Sequence, residues 1–182
     1  YRHTGVHDEM YAPDGVRQHW HYLMQSLGDM GDDELRRRMH EAWRLIREND
    51  VTYNLYGDLD SDSRPWKLDL VPLLIESEEW RSIEAGLMQR AELLNRILID
   101  LYGPRNLVKK GLLPAELIYT HPGYLLPCVG IPGLQDPAST YALTFYAADL
   151  VRDHEGRIHV LNNRAQAPSG AGYALENRLV IS

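Results

Sequence analysis

Apolar positions recur with a helical period through the first half of the chain and with a period of two near its end. After the turn signal Pro13-Asp14-Gly15, Trp20, Leu23, Met24 and Leu27 fall along one face and predict a short helix over Val16–Leu27. Asp32 or Asp33 is placed to cap a second helix reaching about Asn49. In it Leu35, Met39, Ala42, Trp43 and Ile46 form the apolar stripe, while Arg36, Arg37, Arg38, Glu41 and Arg44 face water. Val51–Tyr56 then reads as a short strand, followed by a Gly, Asp and Ser loop that ends in Arg64-Pro65-Trp66.

The strongest helical signal covers Ser77–Tyr102. Ser77 can cap it, Glu78 and Glu79 suit its positive N-terminal end, and Gly103-Pro104 stops it. Trp80, Ile83, Leu87, Met88, Ala91, Leu94, Leu98 and Leu101 make one stripe. Burial of these side chains, at about 1.5 to 3 kcal/mol for each large one, would make this helix the spine of the fold. A region punctuated by Pro and Gly follows, with LLPAELIY helical at its start.

The period then changes. Tyr141–Val151 and Arg157–Asn162 alternate as strands, and the intervening RDHEG is a five-residue hairpin loop with its glycine. Asp149 does not fit the first strand, because an ionised carboxylate beside Tyr146, Ala147, Ala148, Leu150 and Val151 costs several kcal/mol unless compensated. Two readings stay open. Asp149 with the amides of Asn162 and Asn163 offers hard oxygen donors of the kind Mg2+ accepts, or Asp149 caps a turn or pairs with Arg164. Beyond the hairpin, Arg164 and Arg178 are planar donors for phosphate or carboxylate, and Ser169-Gly170-Ala171-Gly172 offers unobstructed backbone N–H groups. That turn is neither a P-loop nor a dinucleotide fingerprint.

Composition narrows the function. The chain has 182 residues, enough for one domain with a core or one domain with a smaller lobe. A single cysteine, Cys128, excludes an internal disulfide and a multi-cysteine metal site and suits a reducing, cytoplasmic setting. With 26 acidic against 19 basic residues, a net charge of -7, the chain is not built chiefly to bind nucleic acid. No apolar run approaches a membrane span, and Tyr1 in place of an initiating Met suggests a trimmed chain. Other candidate clusters have bland readings. His19 and His21 cannot share a helix face, the arginine triplet reads as a solvated face, and Asp58, Asp60 and Asp62 lack the glycine and glutamate of a calcium loop.

The string RAQAPSGAGYALENR, with the upstream VTYNLYGD, RPWKLDLVPLL, GLMQRAELLNRILIDLYGP and HPGY, resembles the N-terminal part of the circularly permuted ATP-grasp proteins, a bacterial group of carboxylate-amine ligases similar to glutathionylspermidine synthase. The resemblance implies an α+β fold, a helical N-terminal half packed on an antiparallel sheet whose late hairpin is the ATP-grasp metal hairpin. Residues 1–75 would form a helical lead-in and loop, 76–135 the long helix and loops, and 136–182 the hairpin and Gly-rich turn, together an incomplete ATP-grasp fold.

The implied cofactors are ATP and Mg2+, and the implied partners are small-molecule or peptide carboxylates and amines and the remainder of the parent chain, with no nucleic acid or membrane. By position, Asp149 matches the first metal ligand, and the second falls on Asn162 or Asn163, where the family pattern leads one to expect a carboxylate. Arg164 and Arg178 are the implied catalytic contacts to phosphate or acyl phosphate, Ser169, Gly170 and Gly172 the ATP/phosphate-binding turn, and Glu176 and Asn177 substrate-side groups. Lys67, Lys109 and Lys110 do not supply the family's phosphate-binding lysines, so this chain alone is expected not to turn over ATP. The alternative is a non-catalytic nucleotide- or peptide-binding module with a degenerate metal site. A strand beginning at Leu179, with an apolar edge over Leu179–Ile181, would favour homo-oligomers.

Overall fold

The computed structural model describes residues 5–53, 64–132 and 141–181. It divides into two compact units, Tyr1–Glu76 with Arg152–His159 and Ser169–Ser182, and Ser77–Val151 with Val160–Pro168. Among the described residues, helices combine with three separate two-stranded ladders, an α+β composition. No helix among them is long and apolar enough to cross a membrane.

In the first unit, strands β1 (Tyr11–Ala12) and β2 (Gly15–Val16) pair antiparallel across Pro13-Asp14, with Tyr11 opposite Val16. Because β2 takes Val16, helix α1 starts later than the apolar spacing suggested, at His21, and runs to Glu48. It is interrupted at Gly31, whose φ of 75° and ψ of 164° are open to glycine and costly for other residues. The two helical patterns in the sequence therefore lie either side of one break. Trp20, Ala42 and Ile46 are the buried residues of this unit, and Ile46 is only 1% exposed.

The arginine face of α1 is solvated, as its spacing indicates. Glu34 accepts from Arg37 and Arg38 at 2.7 and 2.8 Å, and these donors, Arg37 first, hold its carboxyl down to about 2. Beyond α1, β3 (Thr52–Tyr53) pairs antiparallel with β4 (Arg64–Pro65). Asp58, Asp60 and Asp62 lie outside the described residues.

Helix α5, Gly170–Ile181, corrects the expected strand at Leu179. The β-branched pair Val180-Ile181 favours a strand locally, but Tyr173, Glu176, Asn177 and Val180 recur at helical spacing and form its half-buried face. Anchoring along that face outweighs the propensity of two residues. There is accordingly no sheet edge at Leu179–Ile181; Leu179 and Ile181 are exposed positions of a helix. The Gly-rich segment is likewise not a free turn. Gly170 and Gly172 belong to the first turn of α5, and neither has a positive φ.

In the second unit, α2 spans Ser77–Tyr102 as its pattern predicts. Its stripe is less covered than expected. Trp80 and Met88 are 46% and 66% exposed and the other six stripe residues are half-buried, while the buried residue of α2, Ile99, lies outside the stripe. After Gly103-Pro104 the chain re-enters a helix because Asp100 supplies the missing acceptors, its two oxygens taking the Asn106 and Leu107 N–H groups at 2.9 Å each. That caps α3 (Asn106–Lys109), and α4 (Ala115–Tyr119) follows within the predicted LLPAELIY segment. Tyr102 and Tyr124 stack with centroids 5.0 Å apart, Tyr119 meets Tyr124 edge-on, and burial pushes the Tyr124 phenol up.

The late hairpin consists of β5 (Ala147–Arg152) and β6 (Ile158–Arg164), so Tyr141–Tyr146 lies before the ladder and β6 extends two residues past the expected end. A connection this short requires antiparallel strands. Gly156, at φ 91°, supplies the left-handed residue of the loop.

Candidate functional site

Asp149 sits near the start of β5 and Arg164 ends β6, so both lie away from the hairpin loop. Nε and Nη2 of Arg164 donate to the same Asp149 oxygen, Oδ2, at 3.0 and 2.9 Å. This is the ion-pair alternative left open by the sequence, and it explains how the strand tolerates the charge. The side chains remain 41% and 59% exposed, so the pair contributes about 0 to 1 kcal/mol. Asp149 Oδ1 has no hydrogen-bond partner among the described residues.

The two asparagines differ. Asn163 Oδ1 accepts from the Tyr146 hydroxyl at 2.7 Å, whereas Asn162 is exposed and makes no side-chain hydrogen bond among the described residues. Among those residues no group of three or more His, Cys, Asp or Glu side chains is placed to hold a metal ion. One carboxylate with two amides is a thin donor set for a divalent cation, and its only charge is already countered by Arg164. The fit to Mg2+ is therefore partial. Asp149 Oδ1 and the Asn162 amide oxygen are open, and the remaining ligands would be phosphate oxygens and water.

The other expected site residues lie on α5 in the first unit. Ser169, Gly170 and Gly172 are exposed at its beginning, where the first-turn N–H groups of a helix have no intrahelical acceptor. Arg178 is exposed and unpaired among the described residues. Glu176 and Asn177 are engaged. Glu176 Oε1 accepts from the Asn49 side chain, and Asn177 Oδ1 accepts from Trp66 Nε1 at 2.8 Å. Tyr173 donates to the Thr52 carbonyl at 2.7 Å and packs against Trp66 with centroids 4.6 Å apart and the ring planes tilted by 34°. These contacts bind α5 to α1 and to the β3–β4 ladder.

Residues 152–159 carry a polar cluster that period-two reading does not reveal. Asp153 accepts from His159 Nε2 at 2.8 Å and from the Arg157 and Glu155 backbone and Arg157 Nε at 2.9 Å. His159 first, then Arg157, holds the Asp153 carboxyl well below the usual carboxylate range. Arg152 donates to Glu9 at 2.6 Å, and the His7 N–H to the His154 carbonyl at 2.9 Å. The available signal was an acidic residue opening a glycine loop with an arginine four and a histidine six positions on.

The late hairpin pairs a carboxylate with an arginine next to amide oxygens, without a set of acidic metal ligands among the described residues. The sequence profile of the circularly permuted ATP-grasp type 2 family matches residues 72–182, and the chain belongs to that family. It is 39% identical over 185 residues to an uncharacterized protein of Mycobacterium tuberculosis, covering 97% of this chain and 20% of that protein. A Synechocystis uncharacterized protein is 36% identical over 176 residues, covering 96% and 36%. One from Mycobacterium leprae is 32% identical over 176 residues, covering 96% and 30%. The chain thus spans about a fifth to a third of the length of these relatives.

Proposed function

We propose that the chain is part of an ATP- and Mg2+-dependent ligase that joins a carboxylate to an amine through an acyl phosphate. The observation that carries this reading is the Asp149–Arg164 pair on the β5–β6 hairpin of a chain belonging to the circularly permuted ATP-grasp family. In such a reaction a substrate carboxylate oxygen attacks the γ-phosphorus and ADP leaves. The amine then attacks the acyl carbon, a proton is lost from nitrogen, and phosphate leaves. Positioning and charge compensation supply most of the catalysis, so no protein nucleophile is required.

In this reading Asp149, with Asn162 or Asn163, holds Mg2+, and the bound ion supplies positive charge to the polyphosphate. Arg164 has two donors in a planar fork that suits a phosphate or acyl-phosphate oxygen as well as it suits Asp149. On α5, Arg178 and the first-turn N–H groups near Ser169, Gly170 and Gly172 would contact phosphate. Glu176 and Asn177 would act on the substrate side through the position of that helix, since their oxygens are bonded to Asn49 and Trp66. Residues 1–75, 76–135 and 136–182 would be successive parts of the N-terminal portion of one permuted domain. The incomplete cover of the α2 stripe at Trp80 and Met88, with the greater length of the relatives, supports a parent protein that supplies further phosphate and adenine contacts. This chain alone would then release no ADP.

The test is ADP release by the full-length parent with ATP and Mg2+ on a panel of carboxylates and amines, compared with Asp149→Ala. Release that depends on Mg2+ and falls with the substitution supports the ligase reading; release indifferent to it removes Asp149 as a ligand. A second reading is favoured by the neutralised carboxylate and by amides at both second-ligand positions, namely a nucleotide- or peptide-binding module with a degenerate metal site. ATP binding without Mg2+ dependence or turnover would select it.

A further inference from the structure

We infer that the concave site between the second half of α1 and the Pro65–Asp69 segment binds a small aromatic monocarboxylate. The site lies wholly within the first unit, none of its described lining residues belongs to the hairpin, and it has a volume of about 500 Å3, within the range of small-molecule pockets.

Its walls are aromatic and partly fixed in advance. Trp66 packs at a tilt against Tyr173 with centroids 4.6 Å apart, meets Tyr53 edge-on at 6.2 Å and donates from Nε1 to Asn177 at 2.8 Å. A ring held from three directions loses little freedom when a ligand packs against it. Trp43 also lines the site and leaves 41% of its surface in water, Met39 contributes apolar surface, and the buried Ile46 lies behind them. A flat apolar group would cover this surface and offer the offset or edge contacts that aromatic rings favour.

The charge of the site points to an anion. Arg47 and Lys67 both line it, and neither has an ion-pair partner among the described residues. Arg47 donates through Nε to the Trp43 carbonyl at 3.2 Å, leaving its two terminal nitrogens for a ligand. Asp69 is the single carboxylate among the described lining residues, and its Oδ1 takes the Val71 N–H at 2.9 Å. Among the described lining residues, two cations against one anion leave a local excess of one positive charge in a chain of net charge -7. One ligand carboxylate matches that excess, and a bidentate arginine suits its geometry.

The probes are 3-phenylpropionate and its uncharged amide, titrated into the 182-residue chain while the indole N–H resonances of Trp43 and Trp66 are followed by NMR. Saturable shifts of both resonances are expected with the acid, with the amide weaker by about tenfold, the equivalent of one charge-assisted contact. Lys67→Met and Arg47→Met, which keep the apolar stems, should each weaken the acid several-fold and leave the amide unchanged. Lys67 is exposed, so its variant retains the fold and keeps the comparison valid. Absence of saturation, equal binding of acid and amide, or an unchanged acid affinity in the Lys67→Met variant would overturn the assignment. Binding is read without turnover, so ligase activity does not bear on the outcome.

Discussion

Arg164 places two donors on one oxygen of Asp149, at 3.0 and 2.9 Å, and leaves the other carboxylate oxygen without a hydrogen bond among the described residues. The pair is half in water, so its value to the fold is small and its value to a ligand can be large. Asp149→Asn should therefore change stability by no more than about 1 kcal/mol in urea unfolding. If the proposed ligase reading holds, the same change in the full-length parent should reduce Mg2+-dependent ADP release by at least about tenfold, since the substitution removes the only formal negative charge among the proposed ligands. A large loss of stability with unchanged ADP release would make the pair structural.

Asn163→Asp isolates charge at the second position. Aspartate can keep the Oδ1 that accepts the Tyr146 hydroxyl at 2.7 Å, so the local hydrogen bond survives while a carboxylate is introduced. If this position is a ligand, Mg2+ affinity measured by calorimetry on the hairpin-containing chain should rise on the order of tenfold. The parallel Asn162→Asp variant discriminates the two positions. A rise only there would assign the second ligand to Asn162.

The long helix was legible to the residue because its two ends carry separate stop and start chemistry, Ser77-Glu78-Glu79 and Gly103-Pro104. The hairpin was legible from its change of period, although its pairing begins only at Ala147. Helix α5 was not. Its tail, Leu179-Val180-Ile181, reads as a strand, and its glycines suggested a turn until their place in its first turn was seen. What decides the case is long-range: Asn49, Thr52 and Trp66 meet Glu176, Tyr173 and Asn177, more than 100 residues along the chain. No local pattern contains those partners. The same holds for the candidate site, where sequence offered metal coordination and ion pairing to Asp149 as alternatives. Only the position of Arg164 showed the pair formed.

The helical assignment of α5 can be tested with two substitutions of opposite expectation. Tyr173→Phe keeps the ring that packs against Trp66 but loses the hydroxyl bond to the Thr52 carbonyl, at a cost of about 0.5 to 1.5 kcal/mol. Leu179→Glu, on the exposed side, should cost within about 0.5 kcal/mol. Urea midpoints measure both. A severe loss from Leu179→Glu would mean that this residue is covered in solution, as by self-association, and sedimentation of the parent chain would then show a species larger than a monomer.

Acid should open the hairpin loop before it affects an uncharged control. Asp153 has its carboxyl lowered by His159 and Arg157, so its folded value lies below the unfolded one, near 3.9. A depressed acid adds stability that is fully present above the unfolded pKa and is lost as pH falls through the window below it. The Glu155 and Arg157 backbone N–H groups both donate to Asp153 Oδ1 at 2.9 Å, so they are the local reporters of that loss. Their amide-exchange protection factors, which remove the intrinsic pH dependence of exchange, should hold from pH 6 to about pH 4 and fall below it. In Asp153→Asn, whose amide oxygen can still accept but carries no charge for His159 and Arg157, protection should start lower and lack the acid step. A similar step in the variant would place the titrating group elsewhere in the loop, with Glu155 the next carboxylate to replace.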